Sequence, residues 1–101
     1  MASVQEFFEG LAARVPADRI AGMTNTYVFD IEGAGIWRVA IADGAIDVRE
    51  GAGDADCTFS ASEESFEKIV AGEQNPTTAY MTGKLKIKGD IGAAMKLQKI
   101  F

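Results

Sequence analysis

The chain has 101 residues, 48% of them hydrophobic and 25% charged, with a formal net charge of −5. That length predicts one domain over residues 1–101 with a single core, and the composition excludes disorder. No apolar run is long enough to span a bilayer, Met1-Ala2-Ser3 lacks the start of a signal peptide, and the single cysteine, Cys57, has no internal partner; a cytoplasmic, reducing setting is expected.

The charge is unevenly placed. Residues 1–75 hold five basic and fourteen acidic side chains, net −9, whereas residues 76–101 hold five lysines against Asp90, net +4. The acidic body repels nucleic acid, and the basic end has no interleaved aromatics to stack on bases, so no nucleic-acid partner is expected. Lys84, Lys86, Lys88, Lys96 and Lys99 form a solvated face that is also suited to transient contact with an anionic membrane surface.

In chain order, Ser3 and Glu6 have the spacing of a capping box, and Val4, Phe7, Phe8 and Leu11 recur at helical intervals. The first helix is predicted to reach about Arg14 and to end at Pro16, with a further turn over residues 17–20. From Thr24 the period becomes two. Tyr27, Phe29 and Ile31 share a face, and after a turn at Gly33-Ala34-Gly35 so do Trp37, Val39 and Ile41. Asp43-Gly44 makes a second tight turn into a third strand with Ile46 and Val48 inward. A polar loop then leads to a fourth strand with Cys57 and Phe59 inward. Ser62 or Ser60 caps the next helix, in which Phe66, Ile69 and Val70 form the buried side and Gly72 ends the element.

Asn75 caps a short helix that starts at Pro76 and stops at Gly83. Lys84, Lys86 and Lys88 then alternate with Leu85 and Ile87 as a fifth strand, and after Gly89 the N-cap Asp90 opens a last helix. Ile91, Ala94 and Met95 lie on one side of that helix, and Leu97, Ile100 and Phe101 extend the apolar arc around it. So wide an arc predicts burial on two sides or an unfilled side open to a partner, a membrane or an apolar ligand. The predicted fold is α+β: a five-stranded, mostly antiparallel sheet covered on one face by helices.

Catalytic chemistry is sparse. With no histidine, the usual general base, the usual neutral metal ligand and the Ser-His and Cys-His nucleophiles are all missing. Cys57 falls on the inward phase of a strand, where a thiol is inert, and the glycines form no phosphate loop. No cofactor is expected, and no enzymatic activity. What the chain has in excess is bulky apolar side chain, including methionines that can repack around a variable guest.

From Asn75 onward, the run NPTTAYMTGKLKIKGDIGAAMKLQKIF resembles the signature of the sterol carrier protein-2 domain family. Tyr27 to Gly33, Trp37, and Asp56-Cys57-Thr58-Phe59 support the likeness, which covers nearly the whole chain. The resemblance implies a hydrophobic tunnel between sheet and helices holding a fatty acid, acyl-CoA, sterol or phospholipid, bound and transferred without reaction. By position the tunnel is expected to be bounded by Phe29, Trp37, Val39, Phe59, Tyr80, Met81, Leu85, Ile87, Met95 and Leu97. The chain stops at Phe101, and Lys99-Ile100-Phe101 replaces the Ser-Lys-Leu ending of peroxisomal relatives. A dry pocket of roughly 300 Å³ costs about 7 kcal/mol at ~24 cal/mol per Å³, so the tunnel is expected to be narrowed, occupied or flexible when no ligand is added. Two rivals remain at this level: a protein-interaction module docking through its last helix, and an accessory domain of a lipid-metabolising enzyme or weak isomerase using a buried carboxylate such as Asp30.

Overall fold

The computed structural model describes residues 4–97. Ser3 of the expected capping box and Gln98, Lys99, Ile100 and Phe101 of the expected last helix lie outside the described residues. Helix α1 spans Val4–Arg14 and is followed by a 3-10 turn at Ala17–Arg19, as the position of Pro16 predicts. Strands β1 (Asn25–Glu32), β2 (Gly35–Ala42) and β3 (Ala45–Glu50) form a meander. Its second turn has Asp43 at φ 53° and Gly44 at φ 73°, the left-handed pair that a two-residue hairpin turn of matching twist requires.

After β3 the chain crosses to the far side of β1 to begin β4 (Cys57–Ser62), then continues through α2 (Glu63–Val70), α3 (Pro76–Met81), β5 (Leu85–Gly89) and α4 (Ile91–Lys96). The sheet order is β3-β2-β1-β4-β5. Three pairings are antiparallel and one, β1 with β4, is parallel. The crossing segment is held by an Arg38 Nε donation to the Asp54 carbonyl at 3.0 Å and by a reciprocal pair between Thr26 and Asp56.

Local capping follows the sequence closely. Ser62, rather than Ser60, accepts the Ser65 N–H at 3.2 Å, because Ser60 is still within β4. The Asn75 carboxamide oxygen accepts the Thr77 N–H at 2.8 Å. Both α2 and α3 end on a left-handed glycine, Gly72 and Gly83, with the N–H of the following residue returning to a carbonyl of the last turn: Glu73 to Lys68 and Lys84 to Ala79, each at 2.9 Å.

One face of the sheet carries the core. Tyr27, Phe29, Ile31, Trp37, Val39, Ile41, Cys57 and Phe59 are all buried there. Helix α1 sets Phe7, Phe8 and Leu11 onto the β1–β3 end, where the Phe8 ring stacks on Trp37 (4.8 Å between centroids, 16°) and on Phe66 (5.5 Å, 14°). Over β4 and β5 lie α3 and α4, which pack through Ala79, Ala93, Ala94 and Leu97. Large residues fill one end of the interlayer space; alanines leave the other end unfilled.

Candidate functional site

That underfilled end is an apolar cavity of about 250 Å³. Its floor is Phe29, Phe59, Leu85 and Ile87 from β1, β4 and β5, and Phe66 and Ile69 of α2 form a side wall. The rest comes from α3 and α4, through Pro76, Thr77, Tyr80, Ile91, Ala94, Met95 and the adjoining Leu97. Phe29 and Phe59 pair across the parallel strands and stack at 5.1 Å and 13°, which gives the floor a flat, rigid centre. Four lining residues are exposed and mark the mouth: Thr77, Tyr80 at 46%, Ile91 at 45% and Met95 at 64%. Among the described residues the lining contains no carboxylate, amine or thiol, and its only side-chain polar groups are the hydroxyls of Thr77 and Tyr80.

Helix α4, the roof, is six residues long, too short to persist in water without help. Three hydrogen bonds fix it. The Asp90 carboxylate accepts the Ala93 N–H at 3.2 Å, and the Asp90 N–H donates to the Asp56 carbonyl at 2.9 Å. The Tyr27 hydroxyl, fully buried beneath the helix, donates to the Ala93 carbonyl at 2.6 Å. Burial, with the neighbouring Cys57, Asp56 and Asp90 adding to it, pushes the Tyr27 hydroxyl up to about 12. Burial likewise pushes the Cys57 thiol up to about 11, which leaves it protonated and unreactive. Among the described residues no cluster of acidic or cysteine side chains could hold a metal ion.

Seven of the residues expected at the site do meet here: Phe29, Phe59, Tyr80, Leu85, Ile87, Met95 and Leu97. Trp37 and Val39 do not line the cavity, because β2 lies on the opposite side of β1 from β4 and β5; both are buried core residues. Met81 is 79% exposed and also lies outside the lining. Pro76, Thr77, Ile91 and Ala94 enter the site from helices whose boundaries the sequence shows, and Phe66 and Ile69 from the side of α2 predicted to be buried. The expected tunnel is not shown: the Phe8, Trp37 and Phe66 stack closes the space over β1 and β2, and what remains is a pocket at the β4–β5 end. Asp30, considered as a buried base, is exposed on the opposite face of the sheet beside Ser60 and Lys86.

The described residues thus form a five-stranded α+β domain with a hydrocarbon-lined pocket between sheet and helices. The model of the SCP-2 sterol transfer family matches residues 8–101, and the chain belongs to that family. It is 36% identical over 101 residues to hydroxysteroid dehydrogenase-like protein 2 of Xenopus laevis, a match that covers 96% of this chain and 24% of that protein. Among solved structures it is similar to sterol carrier protein 2 of Yarrowia lipolytica, with a TM-score of 0.76, 26% identity, and coverage of 93% of this chain and 85% of that one. It is also similar to part of a double mutant of the sec-alkyl sulfatase PisA1, with a TM-score of 0.85, 25% identity, and coverage of 99% of this chain and 16% of that one. The chain thus spans about a quarter of the length of the curated relatives it matches.

Proposed function

We propose that this domain binds a lipid by its apolar part in the pocket beneath α4 and carries it without chemical change, with α4 as the movable cover. The observation that carries the reading is the pocket of about 250 Å³, walled among the described residues by hydrocarbon and aromatic side chains with no charged group. Kept dry and closed, a space of that size costs about 6 kcal/mol at ~24 cal/mol per Å³, a large part of the ~5–15 kcal/mol that holds a small domain together. A guest chain offsets that cost. The reading includes a cytoplasmic setting, supported by the free thiol of Cys57.

Delivery is proposed to involve brief contact with an anionic membrane surface. Lys84, Lys86, Lys88 and Lys96 are exposed, and the apolar rim of Tyr80, Ile91 and Met95, with the exposed Met81 beside it on α3, is of the kind that inserts among lipid chains. Lys99 lies outside the described residues.

The test is mass spectrometry of organic extracts from the purified chain, with titration by a fluorescent fatty acid. Saturable binding near the micromolar range is expected, since several kcal/mol of the transfer free energy is spent on immobilisation. An extract free of lipid together with no saturable binding sinks the reading, and a concentration-dependent dimer in the same sample would favour a docking module instead.

A second reading, an accessory domain that presents lipid to an attached enzyme, is favoured by the 24% and 16% shares that this chain covers of the dehydrogenase-like and sulfatase proteins. It uses the same pocket and differs only in the recipient.

A further inference from the structure

Resting on the lipid-binding reading, we propose that the pocket accepts a single slim chain, tail first, to a depth of about ten carbons, and that it selects by length and width rather than by head group.

The depth follows from volume. An apolar cavity of about 150 Å³ admits a benzene molecule, roughly 25 Å³ per carbon, so the 250 Å³ here holds about ten carbons. A fused-ring sterol skeleton has well over that number and is too wide as well as too large.

Toward the core the pocket does not deepen. Its inner wall is Phe29, Phe59 and Phe66, and these rings are locked into the cluster with Phe8 and Trp37 at centroid distances of 4.8 to 6.0 Å. Enlarging it inward breaks the core. Outward, the chain meets Ile91 and Met95, which are already in solvent, so further methylenes leave the protein instead of being buried.

Indifference to head group follows from the lining. Among the described residues, a carboxylate drawn inside would find no cation and only the hydroxyls of Thr77 and Tyr80, at a cost of several kcal/mol. The head group therefore stays at the mouth in water, where acid and alcohol are nearly equivalent. Ala94, 7% exposed and in the roof, is the specificity-determining position: Ala94→Leu adds about three carbons to the pocket wall and shortens the accepted depth from about ten carbons to about seven.

The experiment is titration calorimetry on the full chain with fatty acids and matched alcohols of about six to about sixteen carbons, below their micelle concentrations, with a sterol as competitor. Affinity is expected to rise about fourfold per added carbon up to about ten carbons and to level off beyond, with acid and alcohol within a few-fold of each other and no displacement by sterol. For Ala94→Leu the break should move to shorter chains. A slope that continues unchanged to the longest chains, a sterol that displaces the acid, or an acid and alcohol differing by more than about tenfold overturns the proposal while leaving lipid binding intact. Absence of binding by every chain overturns the lipid-binding reading, and this proposal with it.

Discussion

Tyr27 carries a hydroxyl into the middle of an apolar layer, where it is fully buried and donates to the Ala93 carbonyl of α4. Removing the oxygen by Tyr27→Phe leaves that carbonyl without its donor and is expected to cost about 1–3 kcal/mol in urea unfolding at neutral pH, with the slope unchanged. The same residue makes stability depend on alkaline pH. Tyr27 rises from 10.0 to about 12 and Cys57 from 9.0 to about 11, both because burial disfavours the anion. The folded state therefore holds these protons more tightly than the unfolded chain. Their contribution is complete below pH 9 for Cys57 and pH 10 for Tyr27, and it is lost as pH climbs to about 11 and about 12. The urea midpoint is expected to hold steady to about pH 9 and then fall, and Tyr27→Phe should flatten the part of the fall above about pH 10. A wild-type midpoint flat to about pH 11 would contradict this account.

At the level of elements, the junction between β5 and α4 decides where the roof sits. Gly89 ends β5 with φ 113°, and a Cβ there would lie 2.5 Å from the Asp56 carbonyl oxygen, the atom that accepts the Asp90 N–H. Asp56 also pairs with Thr26 through both its N–H and its carboxylate, so one residue ties the starts of β1, β4 and α4 together. Gly89→Ala forces a left-handed alanine against a backbone atom that cannot move without disturbing two strands. A loss of about 3 kcal/mol or more is expected in chemical denaturation, with faster amide exchange in α4 than in α1. Retention of full stability would mean that the junction has slack the geometry does not show.

Across the whole molecule, the basic residues and the pocket rim come from the same stretch of chain, but Lys84 and Lys86 lie on the sheet face opposite the pocket, beside Asp30 and Glu32. Residues 76–101, net +4, contain α3, β5 and α4, and hence most of the pocket's rim, whereas residues 1–75 are net −9. An anionic surface is expected to attract the β5–α4 end of the molecule, which holds the lysines, and to repel the rest. Cosedimentation with vesicles containing about 30% anionic lipid should exceed that with neutral vesicles and should largely disappear at about 1 M salt, where the Debye length is about 3 Å. Equal binding to neutral vesicles would remove the electrostatic part of the proposal.

Much of the fold was legible because its causes are local. Alternation in Tyr27 to Ile31 and Trp37 to Ile41, the Asp43-Gly44 turn, the caps at Asn75 and Asp90, and the stop at Gly83 each depend on a few adjacent residues. Period two says which face of a strand is greasy but not which strand lies beside it. The parallel pairing of β1 with β4, and the order that places β2 away from the pocket, were decided by contacts between segments distant in sequence. So Trp37 and Phe59, alike in sequence as large inward residues, part company in three dimensions. One is sealed against Phe8; the other floors an opening, because the helices above it bring alanines. The sequence by itself determined that there was more apolar side chain than one ordinary face needs. Where that excess became a pocket, and how deep, was settled only by which helix came to lie over which strand, since volume belongs to the packed pair and not to either member.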